Sequence, residues 1–235
     1  MPTPKQIVQD IIGSFGYEVR VKRDSFAFCT AYNCKTVLDI GADRGAFAQM
    51  ARTMFPTADI HSFEPLPKSY ATLVNTMKGD AQFFAHHVAL GDRETEVEFN
   101  QNEFSPSSSI LPLAKAHLDS FAEAREVTRV TVNQTTLDKW SLSKTLRHPL
   151  MIKIDVQGYE ARVIAGGREM FSKADVVISE VSFVTLFEGQ VLFDSLVRTF
   201  SDLGLKCVGI TNILYDRVNG RPLQGDLICD RGASV

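Results

Sequence analysis

Apolar and polar positions divide this chain into short runs of two kinds. Val37, Leu38 and Ile40 form a compact, partly β-branched apolar run, which ends in Gly41-Ala-Asp-Arg-Gly45. A helical pattern from Ala46 to Arg52 follows. The sequence therefore predicts a buried strand, a tight turn and a helix. The alternation repeats down the chain. Strands are expected at 36–40, 59–63, 82–90, 150–154 and 175–179, and helices at 45–55, 67–78, 158–171 and 189–203. Residues 94–100 and 127–134 alternate polar with apolar, the mark of half-exposed strands. Between them, 101–112 has loop composition and 113–125 a charged helical pattern. The last strands, 206–211 and 226–229, are joined by a turn-rich segment at 216–220 with no helix, so the final strand should run antiparallel. Apolar strands alternating with amphipathic helices imply an α/β fold of Rossmann-like type, a mostly parallel sheet covered on both faces.

Two regions stand outside that alternation. Residues 1–34 form an N-terminal extension in which Ile7, Val8, Ile11, Ile12 and Phe15 make one helical stripe, expected to pack on the domain at 35–235. An insertion at about 94–134 separates the third and fourth strands, and its residues 101–126 are long enough for a lid. Arg20, Lys22 and Arg23 read as solvated surface.

Composition narrows the function. The chain has 235 residues, 44% of them hydrophobic, and a formal net charge of −3, enough for one sizeable core. Neither the charge nor any basic stripe suggests nucleic-acid partners. No apolar run matches a membrane helix and no leader pattern opens the chain, so the cytoplasm is expected. Cys207 and Cys229 lie in apolar runs and read as buried free thiols, and the Cys29/Cys34 spacing fits neither zinc nor redox chemistry. Oligomeric state is not encoded legibly.

The chemistry gathers where the strands end. Ligands of open parallel sheets bind outside the carboxyl ends of the strands, and Asp39, Glu64, Asp155 and Glu180 stand at or beside four such ends. Glu64, at the end of the second strand before Pro65, can accept hydrogen bonds from both ribose hydroxyls of a nucleotide cofactor. The turn decides which cofactor. Its glycines fail the dinucleotide spacing, and Asp39 with Asp43 makes a poor pyrophosphate site. A sulfonium cofactor with a cationic amino-acid tail fits better, held at Asp39, Gly41, Ala42, Asp43 and Gly45. Ala89 and Leu90, ending the third strand, are placed to touch adenine.

Transfer of a methyl group from a sulfonium needs alignment with the nucleophile and, where that nucleophile is protonated, removal of its proton. Asp155 is the first candidate beside the methyl group, or it binds the cofactor ammonium. Glu160 is a second acid of the site or a favourable helix N-terminal charge. Glu180 is a base, a substrate contact or a cap. No third metal ligand accompanies Asp155 and Glu180, so no metal is expected. His61, His86 and His87 read as satisfied histidines of a strand.

Several segments together resemble the FkbM family of S-adenosylmethionine-dependent methyltransferases: Val37 to Gly45, Phe63-Glu-Pro65, Val88 to Asp92, Ser107 to Leu111, Thr136-Leu-Asp138 and Ile152 to Glu160. The run Ile152-Lys-Ile-Asp-Val-Gln-Gly-Tyr-Glu160 carries most of the specificity, with Gln157 where the family usually has Glu. The resemblance covers about residues 36–185. It implies a seven-stranded class I methyltransferase sheet and O-methylation of a hydroxyl on a sugar or natural product. It also draws Ser109, in an otherwise linker-like serine run, into the cofactor site. The alternatives are methylation of RNA or protein, an NAD-type oxidoreductase, and a non-catalytic nucleotide-binding module.

Overall fold

The computed structural model describes residues 3–15, 25–102, 108–115, 117, 127–216 and 218–232. The described residues contain ten strands: β1 Thr36–Ile40, β2 Asp59–Phe63, β3 Phe83–His86, β4 Ala89–Leu90, β5 Thr95–Asn102, β6 Val127–Thr135, β7 Leu150–Ile154, β8 Val176–Ser182, β9 Lys206–Tyr215 and β10 Pro222–Asp230. Seven form the main sheet in the order β3-β2-β1-β7-β8-β10-β9. The pairs from β3 through β8 are parallel, and β10 runs antiparallel to both β8 and β9. This is the mostly parallel seven-stranded sheet with an antiparallel last strand that the sequence implied.

Alternation along the central strands sends side chains to two cores. Leu38 and Ile40 of β1 join Ile152 and Ile154 of β7 on one face. Val37 and Met151 join Ile60, Ile178 and Ile228 on the other. On this second face, register brings three polar residues into a row: Ser62 lies opposite Asp39, and Asp39 opposite Lys153.

The insertion builds a separate three-stranded sheet, β4-β6-β5. The expected third strand, 82–90, is therefore two strands, because the chain leaves the main sheet after His86 and Ala89–Leu90 pairs with β6. Most of the helix expected at 113–125, like Ser107 and the centre of the lid, lies outside the described residues.

The helices include α1 Pro4–Ser14, α2 Ala46–Met54, α3 Pro67–Thr76, α4 Leu137–Ser141, α5 Glu160–Ala165, α6 Arg168–Lys173 and α7 Phe193–Asp202. The single helix expected at 158–171 is broken between α5 and α6. A Cβ on Gly166 would lie 1.9 Å from the Gly91 carbonyl oxygen, so the turn before β5 packs directly on the backbone at the break. Thr3 caps α1 in a reciprocal hydrogen-bonded box with Gln6. Ile7, Val8, Ile11 and Phe15 of its apolar stripe are exposed. Cys229 is buried as expected. Cys207 is exposed, because β9 is the edge strand. No helix among the described residues is long and apolar enough to cross a membrane.

Candidate active site

A cleft of about 830 Å³, open solvent at its mouth included, lies at the carboxyl ends of β1, β2 and β7. Gly41, Asp43, Glu64 and Pro65 line one side, and Ala89, Leu90, Ile40, Phe63 and Val88 give it apolar walls. Asp155, Gln157 and Tyr159 form another side, with Phe99, Ser108 and Ile110 from the insertion. Six of the sequence-predicted cofactor residues line it directly, besides Asp155. Its mixture of apolar wall and few polar groups is that of a small-molecule site.

The turn after β1 is held from both sides. Gly41 and Ala42 donate their N–H groups to the Phe63 carbonyl at 3.1 and 3.0 Å. Gly41 has φ +77°, and a Cβ there would lie 1.9 Å from the Asp155 carbonyl oxygen. Only glycine allows the turn to cross the end of β7 so closely. Asp43 takes a left-handed φ of 44°, which Asp tolerates, and its carboxylate accepts the Ser69 hydroxyl at 2.8 Å. Ala42 is buried in the core beneath the turn. Gly45 packs against Leu73 of α3 and caps α2, so neither residue lines the cleft.

Glu64 is nearly buried, and its two oxygens accept the N–H groups of Leu66 at 2.8 Å and Asp43 at 2.9 Å. These bonds aim the carboxylate into the cleft with lone pairs to spare. Burial pushes its carboxyl up to about 8, although both backbone donors favour the ionised form.

Asp39 is placed differently from expectation. It is fully buried beneath the cleft, where Oδ2 accepts the Ser62 hydroxyl at 3.0 Å and Oδ1 faces the Lys153 ammonium at 3.3 Å. Its carboxylate is turned to Lys153 and does not line the cleft. Lys153 also donates to the Gly41 carbonyl at 2.9 Å, stands 3.7 Å from Asp155 Oδ2 and lies over the Phe47 ring. Burial alone would lower its pKa, but Asp39 and Asp155 outweigh burial and raise it, so the ammonium stays charged. Burial likewise pushes the Asp39 carboxyl up, and Lys153 and Ser62 oppose that. We take the pair as ionic, since in-register strands set the two groups face to face.

The remaining acids separate. Asp155 lines the cleft. Glu180 sits within β8, with Oε2 accepting Gln157 Nε2 at 2.9 Å and Oε1 accepting Gln224 Nε2 at 2.6 Å. Burial, then the carboxylates of Asp155, Glu160 and Asp226, push its pKa well up. Glu160 does not line the cleft: one oxygen accepts the N–H groups of Val156 and Gly158 at 3.1 and 3.2 Å, so it caps its own turn. Burial pushes its pKa up to about 7. Ser109 is fully buried, and its hydroxyl donates to the Gln157 carbonyl at 2.6 Å rather than facing the cleft.

Sequence reasoning gave no site role to Lys153, Tyr159 or Phe99, and noted Gln157 only as a departure from the family pattern. A signal existed for Lys153, a charge inside a continuous apolar strand. His61 and His86 stack on each other with Trp140 edge-on to both, His61 Nδ1 lies 3.2 Å from His86 Nε2, and burial pulls both down to about 4, so they are neutral. Among the described residues no group of three or more His, Cys, Asp or Glu could hold a metal ion.

The donor set suits an adenosine ligand with a methionine tail. Glu64 offers a carboxylate with free lone pairs for ribose hydroxyls, and Ala89 and Leu90 offer an apolar slot for adenine. The tight turn at Gly41 and the polar end at Asp155 leave room for the tail.

Comparisons with known proteins bear on the family and the fold. The model of the methyltransferase FkbM domain matches residues 39–207. A curated relative, the 2-O-methyltransferase NoeI of Sinorhizobium fredii, is 32% identical over 162 residues, 66% of this chain and 66% of that protein. The chain thus spans just under two thirds of that relative's length. Among solved structures, an FkbM methyltransferase from Methylobacillus flagellatus superposes with a TM-score of 0.53 at 13% identity, over 83% of this chain and 44% of that one. TehB from Haemophilus influenzae gives 0.51 at 9% identity, over 95% and 66%. These likenesses bear on the fold, which is that of the class I methyltransferases. By the match of the domain model to most of its length, this chain belongs to the FkbM methyltransferase family.

Proposed function

We propose that the protein is an S-adenosylmethionine-dependent O-methyltransferase acting on a hydroxyl of a sugar or natural-product-type small molecule. The observation that carries this reading is the cleft itself, with Glu64 on one wall and Asp155 on another, inside a chain of this family. The 2-O-methyltransferase relative supports oxygen as the methyl acceptor. When bound, S-adenosylmethionine supplies an electrophilic methyl group on a sulfonium with a neutral thioether leaving group.

The chain's own residues do the rest. Glu64 binds the ribose hydroxyls, and Pro65, Ala89 and Leu90 orient the adenine. Gly41 and Asp43 shape the floor, with Asp39 and Lys153 fixing the turn from below. Asp155 accepts the proton of the acceptor hydroxyl, and Glu180 stands behind it as a second carboxylate. Phe99, Ile110 and Tyr159 exclude water from the reacting end. Glu160 is left out, since its contacts belong to its own turn. The buried free thiols Cys29, Cys34 and Cys229 suit a reducing compartment, and we place the enzyme in the cytoplasm.

Calorimetric titration with S-adenosylhomocysteine and with NAD tests the cofactor. Binding of the first and not the second is expected, and the reverse would sink the methyltransferase function. Mass spectrometry of saccharide acceptors incubated with S-adenosylmethionine tests the acceptor class, with a gain of one methyl on oxygen as the expected product.

A further inference from the structure

Gln157 stands just beyond β7 in a left-handed backbone conformation, φ 54°, and lines the cleft. That conformation is strained for a non-glycine residue, so its surroundings must hold it there. Its side chain shows what holds it. Nε2 donates to Asp155 Oδ1 at 2.8 Å and to Glu180 Oε2 at 2.9 Å, so both hydrogens of one amide are spent on two carboxylates from different strands. Its backbone carbonyl accepts the Ser109 hydroxyl, which ties the same residue to the insertion. Gln224 holds the far oxygen of Glu180 from β10.

Two carboxylates brought together repel unless a donor lies between them. A primary amide supplies two donors and no charge. It bridges the pair without neutralising either member, whereas Lys or Arg would cancel a charge and Glu would add a third. The charged groups around Glu180 are Asp155 and Lys153 of the β7 end, Glu160 of α5 and Asp226 of β10, with Asp39 of β1 behind Lys153. Only Lys153 among them opposes the carboxylates.

We infer that Gln157 is a positioning residue for methyl transfer: its amide clamps Asp155 and Glu180 side by side as one proton-accepting pair, and its carbonyl couples that pair to the insertion through Ser109. The assignment rests on the proposed function for its purpose, while the clamp itself is testable without an acceptor.

The test is a carbon-detected NMR titration of the Glu180 carboxyl in the full chain, comparing wild type with Gln157→Glu and Gln157→Asn. Glu keeps the length of the side chain and adds a like charge. Asn suits the left-handed backbone but is too short to span both carboxylates. Both variants are expected to raise the Glu180 midpoint, Gln157→Glu by about one pH unit or more. Should Gln157→Glu fail to fold, Gln157→Asn decides alone. A purely structural Gln157 would lower the melting temperature and leave the Glu180 midpoint where it is in wild type, and that result overturns the clamp. S-adenosylhomocysteine binding by wild type is measured in parallel. Its absence would overturn the methyl-transfer purpose and not the clamp, so the two failures are distinguishable.

Discussion

At the scale of single residues, two buried acids carry different burdens. Glu64 faces the cleft, and its removal takes away the carboxylate that receives ribose. Glu64→Ala is expected to weaken S-adenosylhomocysteine binding tenfold or more, about 1.4 kcal/mol. Its pKa, raised from 4.5 to about 8, also has a sign. A folded-state value above the unfolded one contributes stability that is fully present below about 4.5 and lost as pH rises through about 8. Ribose hydroxyls favour the ionised form, so binding at pH 7 should release a proton. Calorimetry in two buffers of different ionisation enthalpy reads this directly; equal heats would show that Glu64 is already ionised. Asp39 works instead through Lys153. Asp39→Ala leaves a buried ammonium beside the turn and should cost roughly 3–5 kcal/mol in urea unfolding. Lys153→Met added to Asp39→Ala should recover much of that loss. A double variant no more stable than the single one would show that the ion pair is not the source.

At the scale of elements, strand and helix placement was legible because the central strands are buried on both faces and read as unbroken apolar runs. What escaped was set by contacts distant in sequence. Nothing local announces that Gly166 lies under the Gly91 carbonyl, so one helix was expected where α5 and α6 stand. Ala89–Leu90 reads as the end of a strand whose pairing partner, β6, lies more than forty residues on. The site was legible in its acids at strand ends, since a charge beside a buried element is conspicuous. Which acids face the cleft was not legible. Side-chain alternation buries Asp39 on the lower face, and Glu160 turns back to its own loop. The close crossing at Gly41 yields a sharp expectation. Gly41→Ala should destabilise the chain by about 2–4 kcal/mol through strain and overpacking against the Asp155 carbonyl. It should abolish S-adenosylhomocysteine binding with it, and a thermal melt matching wild type would contradict the close approach.

At the scale of the whole molecule, the sheet acts as a platform. Its seven strands bring the ends of β1, β2 and β7 together, and the insertion supplies Phe99 of β5 with Ser108 and Ile110 to line one side. The apolar stripe of α1 is exposed at Ile7, Val8, Ile11 and Phe15, and a stripe was all that sequence could offer about it. The central claim is that the cleft binds the adenosine and methionine parts of S-adenosylmethionine with Glu64 as the ribose ligand. The most direct test is one calorimetric comparison of wild type and Glu64→Ala, titrated with S-adenosylhomocysteine. The account predicts binding at one site per chain in wild type and at least tenfold weaker binding in the variant. Equal affinities, or no binding by wild type beside a clear response to NAD, would contradict it.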